Sequence, residues 1–287
     1  MTMPTLPLVT IAISCYNHEH YISSSILSAL QQSYKNIELL IFDDGSKDKS
    51  VDIIYELQKN HQFHFDVQAN MGLNNTLNKA LAMAKGKYFV PFGSDDIMLL
   101  DRIEKQVAYM EENPSISICA GNILKIDEHG QICKKQKIFS AHHQNFEKIY
   151  ISRGSSAPAP TLFFRTELTR KAGGFHPEIA LEDLYIKLKI TQEFGVLGVM
   201  NDLLAYYRTH PNNTYKNFDY MINNVLNTYN EFCDHPEYEN VKFAFLNSML
   251  LKAAKTNSPY ARRILAQIPW SRCNIKTLRA ALYLILP

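Results

Sequence analysis

The stretch LVTIAISCYNHEHYISSSILSALQQSYKNIELLIFDDGS, residues 8–46, decides the fold. Leu8 to Ser14 is a continuous apolar run rich in β-branched residues, the pattern of a strand covered on both faces. Ile22, Ile26 and Leu30 then recur four apart and mark one face of a helix. Ile37 to Phe42 returns to the strand pattern and stops at Asp43-Asp44-Gly45-Ser46. A strand, a helix and a second strand in close succession predict two parallel strands joined by a right-handed crossover.

The alternation continues downstream. Ser46, Asp48 or Ser50 can cap a helix that carries Val51, Ile54, Tyr55 and Gln58 on one side. His64 to Gln68 reads as a short strand, and Leu73, Leu77, Ala80, Leu81 and Ala84 as a helix face. KYFVPF, residues 87–92, is a fourth strand; Ile103, Val107 and Met110 mark a helix that stops before Pro114; ISICAG, residues 116–121, is a fifth strand. The predicted class is α/β, a mostly parallel sheet with flanking helices. Beyond residue 122 the pattern loosens. A loop is expected over residues 152–160, a helix from about Glu182, and a strand through GVLGVMNDLLAYYR. After Tyr215 nearly everything reads as helix, broken at Pro236, Pro259 and Pro269. The expected division is an α/β domain over 1–215, with halves 7–121 and 122–215, and a helical region over 216–287.

Composition narrows the function classes. The chain has 287 residues, 46% of them hydrophobic and 20% charged, with a formal net charge of +2. A balance so near zero carries no nucleic-acid signature. Five scattered cysteines, Cys15, Cys119, Cys133, Cys233 and Cys273, fit reduced thiols better than a disulfide framework. No basic segment followed by an apolar one opens the chain, and no run approaches the ~18 apolar residues that span a bilayer. A cytoplasmic location is therefore expected, and the sequons at Asn74 and Asn212 read as chance matches.

In open parallel sheets ligands bind outside the carboxyl ends of the strands. Those ends are Ser14 to Asn17, Asp43 to Ser46, Asn70 to Gly72 and Gly93 to Asp96. None is the glycine-rich phosphate cradle of a dinucleotide fold or a P-loop. The crevice is acidic instead, and an acidic crevice takes a diphosphate when a hard divalent cation bridges the two. Asp95-Asp96 could supply carboxylate ligands, or could cap the next helix; taken alone, the cap is the stronger reading. Asp44 could accept the imide N–H of a uracil or thymine, or could simply make a turn. Tyr16 could stack on a nucleobase.

VTIAISCYNHEHYISSSILSALQQSYKNIELLIFDDGSKDKS closely resembles the opening of the family 2 glycosyltransferases of the GT-A fold, in which strands end in S/T-x-Y-N and D-D-G-S. NMGLNNTLNKALAMAKGKYFVPFGSDD is similar to the family's N-x-G, A-x-G-x-Y and D-x-D region. GGF, EDLYIKL and YYRTHPNNT resemble its glycine loop, acidic pair and terminal histidine segment. The ordered set covers roughly residues 8–215. The resemblance implies an inverting transfer of a sugar from a nucleotide-diphosphate donor, UDP by preference, to a glycan or lipid-linked acceptor. The setting it implies is bacterial surface polysaccharide: O-antigen, capsule or lipooligosaccharide. It implies donor contacts from Ser14, Tyr16, Asn17, Asp44, Asn70, Asp95 and Arg208, and a Mn or Mg ion on Asp96 and His210. Asp183 would be the general base, with Glu182 beside it on the acceptor side. Two departures stand out. Leu77 replaces an arginine common in relatives, and FGSDD lacks their earlier aspartate. The histidine pairs His18/His20 and His142/His143 read as surface residues.

Three other readings share parts of this pattern. A sugar-nucleotidyltransferase would need a glycine-rich basic loop near the N-terminus, which is missing. A phosphoacceptor receiver domain would need an acidic pair where Cys15 and Tyr16 stand. An inactive binding module on the same fold is disfavoured because Asp96, Asp183 and His210 are all present. The end of the chain adds a partner question. From Asn240 to Pro287 there is no Asp or Glu but eight Lys or Arg. Ile275, Leu278, Leu282 and Ile285 share one helix side, with Lys276, Arg279 and Tyr283 off it. Residues 262–287 could lie on an anionic membrane, at the inner face of a bacterial inner membrane, or could pack as a plain helical subdomain.

Overall fold

The computed structural model describes residues 6–133, 136, 138–152, 157–211, 213, 217–256 and 259–285. Residues 153–156 of the expected loop, and Asn212 and Thr214 of the second sequon, lie outside the described residues. The chain divides into two compact units: Met1–Glu147 with Ser155–Pro211, and Lys148–Gly154 with Asn212–Pro287.

The first unit carries the sheet. Strands β1 (Val9–Cys15), β2 (Ile37–Asp43), β3 (His64–Val67) and β4 (Tyr88–Gly93) are mutually parallel, in the order β3-β2-β1-β4. Helices α1 (Ile22–Leu30), α2 (Ser50–Gln58) and α3 (Leu73–Met83) make the crossovers. Val9, Ile11, Ile13 and Cys15 of β1 are buried, as are Thr10 and Ala12 between them. Burial on both faces explains the unbroken apolar run at residue 8 and the parallel arrangement it predicted.

Past β4 the structure departs from simple alternation. The segment after Asp96 does not continue as a capped helix. It forms a short strand β5 (Ile97–Met98), and helix α4 (Arg102–Glu112) starts only afterwards, with no side-chain cap at Asp101. The cap reading of Asp95-Asp96 is thereby overturned. β6 (Ile116–Ile126) is longer than the predicted fifth strand and does not pair with β4. Strand β8 (Phe163–Arg165) lies between them, antiparallel to both. The long strand β9 (Val196–Arg208) pairs with β6 in parallel and with β5 and β7 (His142–Gln144) in antiparallel fashion. The fold is thus a mixed, mostly parallel sheet. β8 escaped the sequence reading because three residues carry no period.

Helices α6 (Thr166–Lys171) and α7 (Glu182–Phe194) complete this unit, and α5 (Phe146–Ser152) spans the boundary. Two asparagines, Asn74 buried and Asn78 half-buried, fasten α3 to the loop ahead of α7. Asn74 Nδ2 donates to Ile179 O at 2.7 Å and to His176 O, so its sequon marks a packed side chain. Asn78 Nδ2 donates to Phe175 O at 2.7 Å and its Oδ1 accepts from Phe175 N at 2.8 Å. Gly174 in the same loop has φ +75, a left-handed conformation that glycine adopts without steric cost.

The second unit is helical: α8 (Phe218–Asn230), α9 (Tyr238–Lys255), α10 (Tyr260–Ala266) and α11 (Ile275–Ile285), separated at the three prolines noted above. Leu246, Leu250, Ala253, Ala261, Ile264 and Ala280 form the centre of its core. Helix α11 buries Thr277 and Ala280, and Lys276 Nζ reaches Ser248 Oγ on α9 at 2.8 Å. The face chosen from sequence, Ile275, Leu278, Leu282 and Ile285, points outward and is 57 to 75% exposed. All five cysteines are unpaired, and burial pushes the thiols of Cys15 and Cys119 up to about 12.

Gly86 sets a test of this packing. It lies against β1, where its N–H donates to Thr10 Oγ1 at 3.0 Å. An added Cβ would stand 2.5 Å from Thr10 N and 2.8 Å from Tyr88 O, both backbone atoms. Gly86→Ala is expected to destabilise the chain by about 1–3 kcal/mol, the usual cost of overfilling a packed interior, in a urea titration. An unchanged midpoint would refute the close approach.

Candidate functional site

The ends of β1, β2, β4 and β9 meet in one place because side chains there tie one loop to the next. Asn17 has φ +55, the left-handed region that asparagine tolerates better than most residues. Its N–H donates to Ser46 Oγ at 2.9 Å and its Oδ1 accepts from Lys47 N at 2.7 Å. Asp43 Oδ1 accepts from Gly45 N and Ser46 N and shapes the turn, while its Oδ2 is buried with no hydrogen-bond partner. Asp44 accepts from Met71 N, Gly72 N and Gln68 Nε2, each at 2.9 Å. Three bonds leave a nucleobase about one of the four acceptor sites of this carboxylate. Its first role in the structure is to fix the loop after β3. Ser14 is aligned with Phe42 and Gly93 in the neighbouring strands, and Tyr16 and Asn70 are exposed at the strand ends.

The carboxylate pair behaves differently from expectation. Asp96 is buried, and its Oδ1 accepts from Arg208 N at 2.9 Å. Burial, and then the charge of Asp95, push its carboxyl well above the usual range. The side chain beside His210 is Asp95, with Oδ2 3.0 Å from His210 Nε2. The expectation that Asp96 and His210 form the ligand pair is therefore corrected: in the turn between β4 and β5, Asp96 points inward to the Arg208 N–H and Asp95 points to His210. Arg208 has a bracing role that the sequence did not show. Its Nε donates to Asp95 O at 2.8 Å, its guanidinium reaches Asp127 O and Glu128 O at 3.3 Å, and it lies 4.9 Å above the Tyr21 ring. It is buried among carbonyls and braces the site.

Sequence reasoning missed His18, which is not a surface residue. Its Nδ1 lies 2.7 Å from Ser94 Oγ, its N–H donates to Ser50 Oγ at 3.0 Å, and its ring meets that of His210 edge-on at 5.6 Å. Burial holds its imidazole below the usual range. Among the described residues, His18, Asp95 and His210 can each offer one donor atom with all three inside 4.8 Å of one another. Two imidazoles and a carboxylate are a reasonable donor set for a divalent cation, so the residues present fit a metal. The signal lay in position: His18 is one residue past the first strand end that the sequence had marked.

Glu182 and Asp183 open α7, where the helix dipole favours acids. They are not a solvated pair. Asp183 Oδ2 is 2.8 Å from Lys187 Nζ, and this buried ammonium also donates to Ala157 O at 3.2 Å. Burial, and then the charge of Asp183, push the Glu182 carboxyl up to about 8. Glu182 thus holds a proton near neutrality, while Asp183 is paired with a cation.

A linkage test follows from Glu182. Its ordinary value is 4.5 and its folded value about 8, so the folded chain retains a proton there that the unfolded chain has released. That contribution is complete below about pH 4.5 and is lost as pH rises through about 8. Glu182→Gln removes it, so the melting temperature of the unsubstituted chain relative to the variant is expected to fall between pH 5 and pH 8. A difference independent of pH would exclude the shift.

Comparison with known proteins bears on this crevice. The model of the family described as "Glycosyl transferase family 2" matches residues 10–168. An uncharacterized glycosyltransferase of Haemophilus influenzae is 38% identical over 131 residues, 45% of this chain and 52% of that protein, so the match spans about half the length of that relative. Poly-beta-1,6-N-acetyl-D-glucosamine synthase of Staphylococcus epidermidis is 30% identical over 115 residues, 40% of this chain and 28% of that one. Among solved structures, S. aureus TarS 1-349 in complex with UDP-GlcNAc superimposes with a TM-score of 0.66 at 17% identity, covering 95% of this chain and 79% of that 1-349 chain. The mannosyltransferase PcManGT of Pyrobaculum calidifontis, in complex with GDP-Man and Mn2+, superimposes at 0.64 and 16% identity, covering 97% and 85%. At such identities these likenesses establish the GT-A fold.

Proposed function

The chain belongs to glycosyl transferase family 2, and we propose that it transfers a sugar from a nucleoside diphosphate, uridine by preference, to a glycan or lipid-linked acceptor with inversion. The observation that carries this reading is the convergence of His18, Asp95 and His210 beside the strand ends that carry Ser14, Tyr16 and Asn70. The names of the relatives support it: one makes a polysaccharide, and two structural neighbours hold UDP-GlcNAc and GDP-Man. Bacterial surface polysaccharide is the setting they favour.

In this reading Tyr16 stacks on the base, and Ser14, Asn17 and Asn70 line its pocket. The remaining acceptor site of Asp44 takes an N–H of the base. Asp95 and His210 would hold a divalent cation, Mn2+ or Mg2+, whose charge would offset that of the diphosphate. Asp183 takes the proton of the acceptor hydroxyl while that oxygen bonds to the anomeric carbon. The bond from the same carbon to the diphosphate breaks, and the nucleoside diphosphate departs with the electron pair. Attack from the face opposite the leaving group inverts the centre. Lys187 keeps the Asp183 carboxylate oriented, and the protonated Glu182 beside it can donate a hydrogen bond to the acceptor. Asn74 and Asn78 fix the loop that leads into both acids.

The acceptor reading extends to the end of the chain. Ile275, Leu278, Leu282 and Ile285 form an uncovered apolar ridge, Trp270 just before it is 95% exposed, and the surrounding 48 residues from Asn240 hold eight basic and no acidic side chains. An apolar ridge in a wholly basic setting matches an anionic lipid surface in both shape and charge. Among the described residues no helix is long and apolar enough to cross a membrane, so the contact would be peripheral.

Two experiments test these readings. A thermal-shift and hydrolysis screen of UDP-, GDP- and dTDP-sugars with Mn2+ should return at least one donor; silence from all would overturn the transferase reading. With that donor, Asp183→Asn should lower the transfer rate by about 10²–10⁴-fold and leave donor affinity within a few fold. Separately, the full chain should co-sediment with vesicles of phosphatidylglycerol and phosphatidylcholine, and Leu278→Ser with Leu282→Ser should abolish this. Equal sedimentation of both proteins would remove α11 as the contact.

A further inference from the structure

We propose that His18 is a third metal-binding side chain of the crevice, and that the site therefore prefers a first-row transition-metal cation, such as Mn2+ or Co2+, over Mg2+. The inference deepens the metal-dependent reading above and rests on it for the location of the ion.

Three observations carry it. Geometry comes first: the donor atoms of His18, Asp95 and His210 lie within 4.8 Å of one another, from three separate strand ends. Asp95 Oδ2 and His210 Nε2 are already 3.0 Å apart, the spacing of two donors that share an ion at metal–ligand distances of about 2.1 Å. Second, His18 is held in the manner of a ligand. Its Nδ1 faces Ser94 Oγ at 2.7 Å, which fixes the plane of the ring. Ser94 is itself buried and immediately precedes Asp95, so the orienting group and the carboxylate move together. Third, the backbone is built to deliver the residue. Asn17 takes its left-handed turn directly before His18, and the His18 N–H is tied to the buried Ser50 Oγ.

The donor set then decides the ion. Mg2+ binds oxygen, keeps several waters and takes one or two carboxylates. Imidazole nitrogen favours later first-row metals, with affinity rising from Mn2+ towards Co2+ and Zn2+. One imidazole beside a carboxylate leaves that choice nearly open, and a second tips it away from Mg2+. The rival account makes His18 a packing ring beneath His210 and Tyr21, both of which it meets edge-on. Packing would link the residue to stability and leave the order of metal affinities untouched.

Calorimetric titration of the full chain with Co2+, Mn2+ and Mg2+ chloride, without nucleotide, separates the two. The unsubstituted chain should bind Co2+ and Mn2+ at least about tenfold more tightly than Mg2+, and bound Co2+ should show visible absorption altered by nitrogen ligation. His18→Ala should weaken Co2+ binding by about 10–100-fold, reduce its preference over Mg2+, and change the Co2+ spectrum. His20→Ala, two residues away with a side chain 79% exposed, should change none of these. If circular dichroism shows His18→Ala to be unfolded, His18→Gln is titrated in its place and the same losses are expected. Co2+ affinity within twofold of the unsubstituted chain, equal affinity for Mg2+, or failure of the unsubstituted chain to bind any of the three would overturn the proposal. Because no donor is present, the sugar-nucleotide screen decides the transferase reading independently of this result.

Discussion

Asp96 accepts a hydrogen bond from the backbone N–H of Arg208, and both residues are buried. The bond lies beside the pairing of β5 with β9 and ties the turn after β4 to the end of β9, a strand separated from β4 in the sheet by β8 and β6. Arg208 closes the same junction from its side chain through Asp95 O. An isolated buried carboxylate is costly unless it is paired or protonated. Here the backbone donor and the guanidinium favour the charged form, while burial and Asp95 raise the carboxyl well above its usual range. With β4 and β9 held, His210, two residues after Arg208, is placed against Asp95.

The same economy of means runs through the rest of the crevice. Polar side chains that the family pattern associates with ligands are first of all struts. Asp44 holds the loop after β3, Asn17 clamps the β1 and β2 loops together, and Asn74 and Asn78 hold the loop ahead of α7. A donor site built from loops requires this, since loops carry no regular ladder of their own and their backbone groups must be satisfied by side chains. Acids left over after the bracing, Asp95 and Asp183, are each beside a basic side chain and partly open to solvent. Those are the two carboxylates to which the proposed chemistry is assigned.

Most of the parallel half was legible in the sequence. Buried strands write long apolar runs and amphipathic helices write a four-residue repeat, so β1 to β4 and α1 to α3 were readable one by one. β5 and β8 were not, because two or three residues carry no period and their pairing partners are far away in the chain. The site was legible as a list of strand ends but not as geometry. His18 was passed over because its neighbours in space, Ser94 and His210, are distant in sequence. α11 was assigned its apolar face correctly, yet only the packing shows that Thr277 and Ala280 face inward and the four larger residues outward.

The sequence by itself determined the layers, the crevice at the carboxyl ends of the strands and the set of polar residue types gathered there. These follow from local periodicity and from the fixed handedness of the crossover, which need no long-range contact to be read. Tertiary structure alone decided which carboxylate of Asp95-Asp96 faces the crevice, that Arg208 braces the turn beside it, and that a histidine from the first strand end stands beside one from the last. Those outcomes depend on the turn after β4 meeting the end of β9, through the β5–β9 pairing and the bonds of Arg208 to Asp96 and Asp95 O. Residues more than a hundred positions apart leave no joint trace in a single sequence.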